Sequence, residues 1–345
     1  MTDYSHADPL VQPETIRPWL EQLPRPVAVT GGTGFIGSHL VEALCAAGLE
    51  PRVLVRPGRP PRWIDGAPVQ WIEGSLDDRS SLGRLVDGAG TVLHLAGVVR
   101  GGRTDFDIGN RLGTAALVAE VDKRAPDARL ILVSSLAAAG PSAEPGGAGP
   151  ESPPHPISDY GRSKLASEEL VRGRTGWWAV IRPPAVFGPR DTDVFEFFRM
   201  AHRGTVVVPA GERWLTVAWV GDVVRAVVAA AAGSAGQIAH IGSADPMPID
   251  ELVQLLCSAG GVSARIVRIP LAAVTVAGVV GGGLRMLGAG SIALTRDKAR
   301  ELKARHWSSR SSDSMLRLGV TPEMSFADAA AATWSWYRQR GWIAR

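Results

Sequence analysis

The chain has 345 residues, 45% hydrophobic and 21% charged, with a formal net charge of +3. That length holds one large α/β domain with an appended lobe and a full core, and its scattered Lys and Arg residues leave no nucleic-acid footprint. The two cysteines, Cys45 and Cys257, lie far apart without a Cys-x-x-Cys or histidine-rich partner motif, which excludes a disulfide framework, implies no metal and points to a reducing, cytoplasmic compartment.

Residues 1–24 carry acidic residues and prolines where a signal peptide needs a basic start and an apolar run, and they read as a flexible or loosely docked arm. Residues 26–30 form a short apolar strand, TGGTGFIG (30–37) a glycine turn, and 35–47 a helix ended by Gly48. Strand-like runs recur at 52–55, 69–72, 91–95, 130–134 and 178–181, with helix-like stretches between most of them. The alternation predicts an α/β fold with a doubly wound parallel sheet of Rossmann type, and ligands at the carboxyl ends of its strands.

Residues 140–156, rich in Pro, Gly, Ser and Glu, read as a surface loop across the mouth of that site. After Pro183 the pattern loosens, with strands near 205–208 and 214–220, helices near 222–232 and 249–258, and a last helix at 326–340. The expected division is an arm (1–24), a nucleotide-binding domain (25–190) and a smaller C-terminal substrate lobe (191–345) interleaved with the last strands. The most apolar stretch, 266–290, is interrupted by Arg268, Pro270 and Arg285 and weakened by Gly281, Gly282 and Gly283. No transmembrane span is expected there; a buried or lid-like helix and a peripheral membrane contact both stay open.

Gly31, Gly34 and Gly37 have Gly-x-x-Gly-x-x-Gly spacing between a strand and a helix. Glycines let the turn tighten and the backbone approach a pyrophosphate, which then rests on the N–H groups opening the helix at Phe35 and Ile36. At the end of the next strand stands Arg56, with Arg59 close by, where an acidic residue would accept the ribose hydroxyls of NAD. A guanidinium suits a 2′-phosphate, so NADP(H) is favoured over NAD(H).

His94, Leu95, Ala96 and Gly97 close the fourth strand; the small residues let backbone pass close to the cofactor, and His94 reads as a packed, hydrogen-bonded histidine rather than a base. Ser134 and Ser135 end the fifth strand, where a hydroxyl either polarises a substrate oxygen or satisfies a turn. Tyr160 and Lys164, at i and i+4, share one helix face, where an ammonium favours the phenolate and eases proton exchange.

TGGTGFIG, HLAG, Asn110 to Thr114, VSSLAAAG, YGRSK and RPPAVFGPRD follow one another within residues 27–191. In this the chain resembles an extended short-chain dehydrogenase/reductase of the epimerase/dehydratase superfamily. ALTRDKARELKARHW and TWSWYRQRGW near the C-terminus resemble its 3β-hydroxysteroid dehydrogenase-like and hopanoid-associated branch. The resemblance implies Tyr160 as proton donor or acceptor, Lys164 on the nicotinamide ribose, Ser135 as the hydroxyl partner and Asn110 as a brace. It places Ser134 beside the cofactor, with Pro183, Ala185 and Val186 along the nicotinamide, and by analogy it implies a homodimer.

Two departures stand out. Gly74-Ser75-Leu76-Asp77 puts Ser75 where the family commonly has an acidic adenine contact, leaving Leu76 as the hydrophobic member. Leu215 falls where nucleotide-sugar members carry a diphosphate-binding arginine, although Arg213 stands nearby as a substitute. Six tryptophans from Trp214 onward nudge the substrate toward the apolar, though such residues are more often core. The expected activity is NADP(H)-dependent interconversion of a ketone and a secondary alcohol on a bulky, steroid- or terpenoid-like small molecule. The alternatives are an NAD-dependent nucleotide-sugar epimerase or dehydratase and a nucleotide-binding scaffold without catalysis.

Overall fold

The computed structural model describes residues 9–58, 61–243, 245–276 and 296–344. Short apolar stretches, mostly Val, Ile and Leu, form β1 (Val27–Thr30), β2 (Arg52–Val55), β4 (Thr91–His94), β5 (Arg129–Val133) and β6 (Trp178–Arg182), and the half-exposed Gln-Trp-Ile-Glu forms the edge strand β3 (Gln70–Glu73). With Gln237–His240 they make one seven-stranded parallel sheet in the spatial order 237–240, β6, β5, β4, β1, β2, β3. The order reverses between β1 and β4, and a crevice at the carboxyl edge of such a switch point is where α/β sheets take ligands.

Side chains along each strand alternate between two apolar layers. Val27 and Val29 of β1 and Ile131 and Val133 of β5 face a layer that also holds Leu40, Val224 and Val227. Ala28, Leu130 and Leu132 face the opposite layer with Leu82, Leu117 and Val171. The helices α1 (Pro13–Leu20) and α2 (Phe35–Ala46) lie on the first face with Val220–Ala232; α3 (Arg79–Val86) lies on the second. After α4 (Arg103–Phe106) a π-helical turn, Asp107–Leu112, leads into α5 (Gly113–Arg124); α6 (Leu136–Ala139) and α7 (Asp159–Arg172) follow.

The described part of the arm is docked rather than loose. Val11, Ile16, Leu20 and Leu23 are buried, and α1 packs on Val220–Ala232, itself buried along nearly its whole length. Pro13 opens α1, where a missing N–H costs nothing, and Pro18 stands inside it.

A third cluster, with Phe198, Trp219, Trp334 and Tyr337 at its centre, is the core of the C-terminal lobe. Its strands are short: Thr205–Pro209 pairs with Arg265–Ile269, Ala185–Phe187 with Val217–Trp219, and Trp214–Leu215 lies between Met247–Pro248 and His306–Trp307. The expected strand at 214–220 is therefore broken at Thr216, whose N–H and hydroxyl engage Trp307 and Ser309 instead. The stretch expected as a helix or membrane contact begins as the strand Arg265–Ile269, and residues 271–276 are helical with Leu271 and Val276 exposed. Positions 277–290 of that reading lie outside the described residues. Among the described residues no helix is long and apolar enough to cross a membrane.

Candidate active site

The glycine turn sits between β1 and α2 at the sheet's switch point. Gly31 has φ +74°, and a Cβ there would fall 2.5 Å from the Ala96 nitrogen and 2.6 Å from the Leu95 carbonyl carbon. At Gly37 it would fall 2.0 Å from the Gly31 oxygen, and at Gly34 3.3 Å from the same atom. Gly34 caps α2 without a side-chain hydrogen bond and the first turn has no acidic residue, so the N–H groups of Phe35, Ile36 and Gly37 face an anion site under the positive end of the helix dipole. This cradle fits a dinucleotide pyrophosphate. Arg56 is exposed just beyond β2, and Leu76 packs against Gly113, where a Cβ would meet it at 2.8 Å.

The helix α7, which carries Tyr160 and Lys164, is started by Ser158, whose Oγ accepts from the Gly161 nitrogen at 2.9 Å. A Cβ on Gly161 would stand 2.3 Å from the Ala137 oxygen, so its absence lets α7 press on α6 and brings Tyr160 to Ser135. The Ser135 hydroxyl hydrogen-bonds the Tyr160 phenol and accepts from the Ala137 nitrogen at 3.1 Å. The Tyr160 ring packs on Phe106 with centroids 5.6 Å apart.

Burial pushes the Tyr160 pKa up to about 12, opposed by the Ser135 bond and reinforced by the carboxylates of Glu301 and Asp193. The expected lowering by Lys164 is not seen: the net shift is upward, set by loss of water around the phenol, and the opposing influence is the Ser135 hydroxyl rather than the lysine. Lys164 is buried and donates to the Val133 carbonyl at 2.8 Å. Burial lowers its pKa to about 8, with Glu168 working the other way.

Gly97 lies against this lysine; a Cβ there would be 2.9 Å from Asn110 Oδ1 and 3.7 Å from Lys164 Nζ. Asn110, on the π-helical turn, takes the Val98 N–H at 2.7 Å and donates to the Val98 oxygen at 3.0 Å and Ser163 Oγ at 2.9 Å. It clamps the loop after β4 to α7. Pro183 accepts from the Leu136 nitrogen at 2.8 Å, with Ala185 exposed and Val186 half-buried just beyond.

Ser134 and His94 are engaged elsewhere. Ser134 Oγ donates to Glu168 at 2.5 Å, and Glu168 takes two bonds from Arg182 at 2.9 and 2.6 Å, all buried. The Ser134 side chain therefore serves this ion pair. His94 is fully buried, its ring nitrogens 2.6 Å from Thr30 Oγ1 and 3.0 Å from Thr114 Oγ1, and burial lowers its pKa to about 3. It is the packed histidine expected from sequence.

The C-terminal lobe supplies contacts whose roles the sequence did not assign, although the stretch 293–307 and Arg213 were noted there. Asp297 accepts from the nitrogens of Asp159 at 2.6 Å and Tyr160 at 3.2 Å, capping α7 from the helix Arg296–Lys303. Arg213 donates to the carbonyls of Pro209 (3.1 Å), Leu302 (2.8 Å), Ala304 (2.6 Å) and Ala210 (3.2 Å). With its fork committed to backbone, Arg213 does not stand in for a diphosphate-binding arginine. The loop expected at 140–156 is pinned by His155 N to Ala139 O at 2.9 Å and Ser142 N to His306 O at 2.9 Å. Trp219 and Trp334 are core, whereas Trp307 donates to the Glu301 carbonyl at 2.8 Å beside the site.

The family model for the NAD dependent epimerase/dehydratase family matches residues 27–242. A ceramide reductase of Caulobacter vibrioides is 32% identical over 322 residues, covering 92% of this chain and 96% of its own. A 4-hydroxy-2-methyl-3-oxo-4-farnesyl-3,4-dihydroquinoline-1-oxide ketoreductase of Stigmatella aurantiaca is 28% identical over 270 residues, 74% of this chain and 79% of its own. Among solved structures, a dTDP-glucose 4,6-dehydratase of Streptomyces venezuelae with NAD bound superposes with a TM-score of 0.74 at 26% identity, covering 92% of this chain and 98% of that one. With the dinucleotide cradle and the Ser, Tyr and Lys constellation at one sheet edge, the chain belongs to the NAD-dependent epimerase/dehydratase family and is an enzyme of the extended short-chain dehydrogenase/reductase type.

Proposed function

We propose that this protein interconverts a ketone and a secondary alcohol on a bulky, mainly apolar lipid of the ceramide type, using NADP(H). The observation that carries the reading is the pairing of Ser135 with a protonated Tyr160 one helical turn from Lys164. A phenol whose pKa lies near 12 keeps its proton through neutrality, which suits donation to a forming alkoxide. The lipid class is supported by the near full-length similarity to a ceramide reductase. Leu215 and the commitment of Arg213 to four carbonyls speak against a nucleotide-sugar diphosphate.

Nicotinamide, when bound, supplies or takes the hydride at the carbonyl carbon. The N–H groups of Phe35, Ile36 and Gly37 hold the pyrophosphate, Arg56 the ribose 2′-phosphate that distinguishes NADP, and Lys164 the nicotinamide ribose. Tyr160 gives its proton to the substrate oxygen while Ser135 orients that oxygen. The two free thiols, Cys45 and Cys257, fit a cytoplasmic enzyme.

The test is NADPH consumption with a panel of N-acyl amino ketone lipids and polycyclic ketones, for wild type and Tyr160→Phe. Turnover should vanish in the variant while NADPH still raises its thermal midpoint. Purification with tightly bound NAD and no ketone turnover would instead establish an epimerase or dehydratase.

A further inference from the structure

Near Tyr160 lies a carboxylate with one oxygen that neither the fold nor the proton relay uses. Glu301 belongs to the helix Arg296–Lys303, one turn after Asp297, and residues at i and i+4 lie on the same helix face. Asp297 is fixed at the first turn of α7 by its bonds to the nitrogens of Asp159 and Tyr160, so that face carries Glu301 along the Tyr160 side of the cleft. The field of its carboxylate reaches the Tyr160 phenol. Glu301 is only 9% exposed. Lys298 holds Oε2 at 2.9 Å, whereas Oε1 is buried without a hydrogen-bond partner among the described residues.

A buried carboxylate oxygen is costly to leave unmatched, and one this near the reacting phenol can be matched by a donor on the bound substrate. We propose that Glu301 is a substrate-recognition residue, its free oxygen accepting a hydrogen bond from an N–H or O–H group on the carbon next to the reacting ketone. The inference rests on the ketone-reductase reading and narrows it. The ketone oxygen itself is electron-rich and is claimed by the donors Tyr160 and Ser135, so it cannot be the partner of a carboxylate. A donor on the adjacent carbon satisfies both groups in one pose. An anionic group at that carbon is repelled by Glu301 and by Asp193, the second carboxylate acting on Tyr160. The preferred substrates are therefore amido or hydroxy ketones, and α-carboxylated ketones are excluded.

The experiment compares kcat/KM with NADPH for two long-chain ketones of equal length, one bearing an N-acylamino group on the neighbouring carbon and one bearing an alkyl group of the same size. Wild type, Glu301→Gln and Glu301→Met are measured, with the NADPH-induced thermal shift as a check that each is folded. The wild type should favour the amido ketone about tenfold to a hundredfold, the discrimination a hydrogen bond to a charged group supplies. That ratio should fall several-fold in Glu301→Gln, which keeps the shape but loses the charge, and approach one in Glu301→Met. An unchanged ratio in both variants, or no preference in wild type, overturns the assignment while leaving the ketone-reductase reading intact. Turnover of neither ketone by wild type overturns that reading and the role of Glu301 with it.

Discussion

At Lys164 the role proposed in catalysis and the requirements of folding conflict. Its ammonium is buried against one carbonyl, and its pKa falls from 10.5 to about 8. Between those values the unfolded chain binds more protons than the folded one, so stability from this group rises with pH across that window; below about 8 the full penalty stands, of order 3 kcal/mol. Lys164→Met should therefore lose turnover yet gain stability relative to wild type at neutral pH. The gain should shrink as pH is raised from 8 toward 10.5. Urea unfolding of both proteins at several pH values reads this directly, and a gap independent of pH would show that the lysine is not desolvated. Ser135 acts in the opposite sense on its partner, since its hydrogen bond lowers the Tyr160 pKa against the effect of burial. Ser135→Ala should cut kcat by about a hundredfold with little change in NADPH affinity, seen in steady-state rates and cofactor titration.

At the scale of elements, α7 is held at its start by two caps, one local and one distant. Ser158 is the local one, at the position directly before the helix. Asp297, the other cap, comes from far along the chain inside the basic run RDKARELK, and nothing local announces it. Asp297→Ala should cost about 1–2 kcal/mol by chemical denaturation and lower kcat, because the freed N–H groups belong to Asp159 and Tyr160 themselves. The same limit runs through the fold. The six strands β1 to β6 lie within a residue or so of their expected positions, since most are short apolar runs buried in the sheet, and even the edge strand β3 carries Trp71 and Ile72. The strand Gln237–His240 escaped notice because Gln-Ile-Ala-His has no such run; pairing with β6 makes it a strand. Helix α1 was hidden by its two prolines, and its burial against Val220–Ala232 is a tertiary fact. The glycine turn, Tyr160 and Lys164 were legible because close backbone approach and i, i+4 geometry are local. Ser135 was singled out from its neighbour only by the resemblance, and what Ser134 does instead was not legible, because neighbouring residues at a strand end point to opposite sides. Ser134 turns to Glu168 and Arg182, whose buried pair ties β5, α7 and β6 together. Glu168→Ala should cost about 3–5 kcal/mol by leaving that guanidinium unpaired, and replacing both partners with apolar residues should recover much of the loss in denaturant melts.

Across the whole molecule, the C-terminal lobe has its own aromatic core, and the helix Arg296–Lys303 connects that lobe to the catalytic helix. At eight residues it spans roughly 12 Å. At its far end Arg213 grips the carbonyls of Leu302 and Ala304 while also binding those of Pro209 and Ala210. At its near end Asp297 caps α7. A guanidinium between carbonyls, with no carboxylate paired to it among the described residues, gains its stability from filling four acceptors at once, which the single ammonium of a lysine does not reproduce. Releasing this grip should let the helix shift and withdraw the cap from Tyr160, although Arg213 touches no reacting group. Arg213→Met should thus lower kcat while the NADPH affinity of the distant glycine turn stays the same. The decisive measurement is a double-mutant cycle with Asp297→Ala, because residues at opposite ends of an independent element add, whereas the two ends of one rigid strut do not. A coupling of about 1 kcal/mol or more in stability, matched by a less than additive loss of kcat, is expected. Simple additivity in both would mean that the lobe and the catalytic helix are held together by some other route.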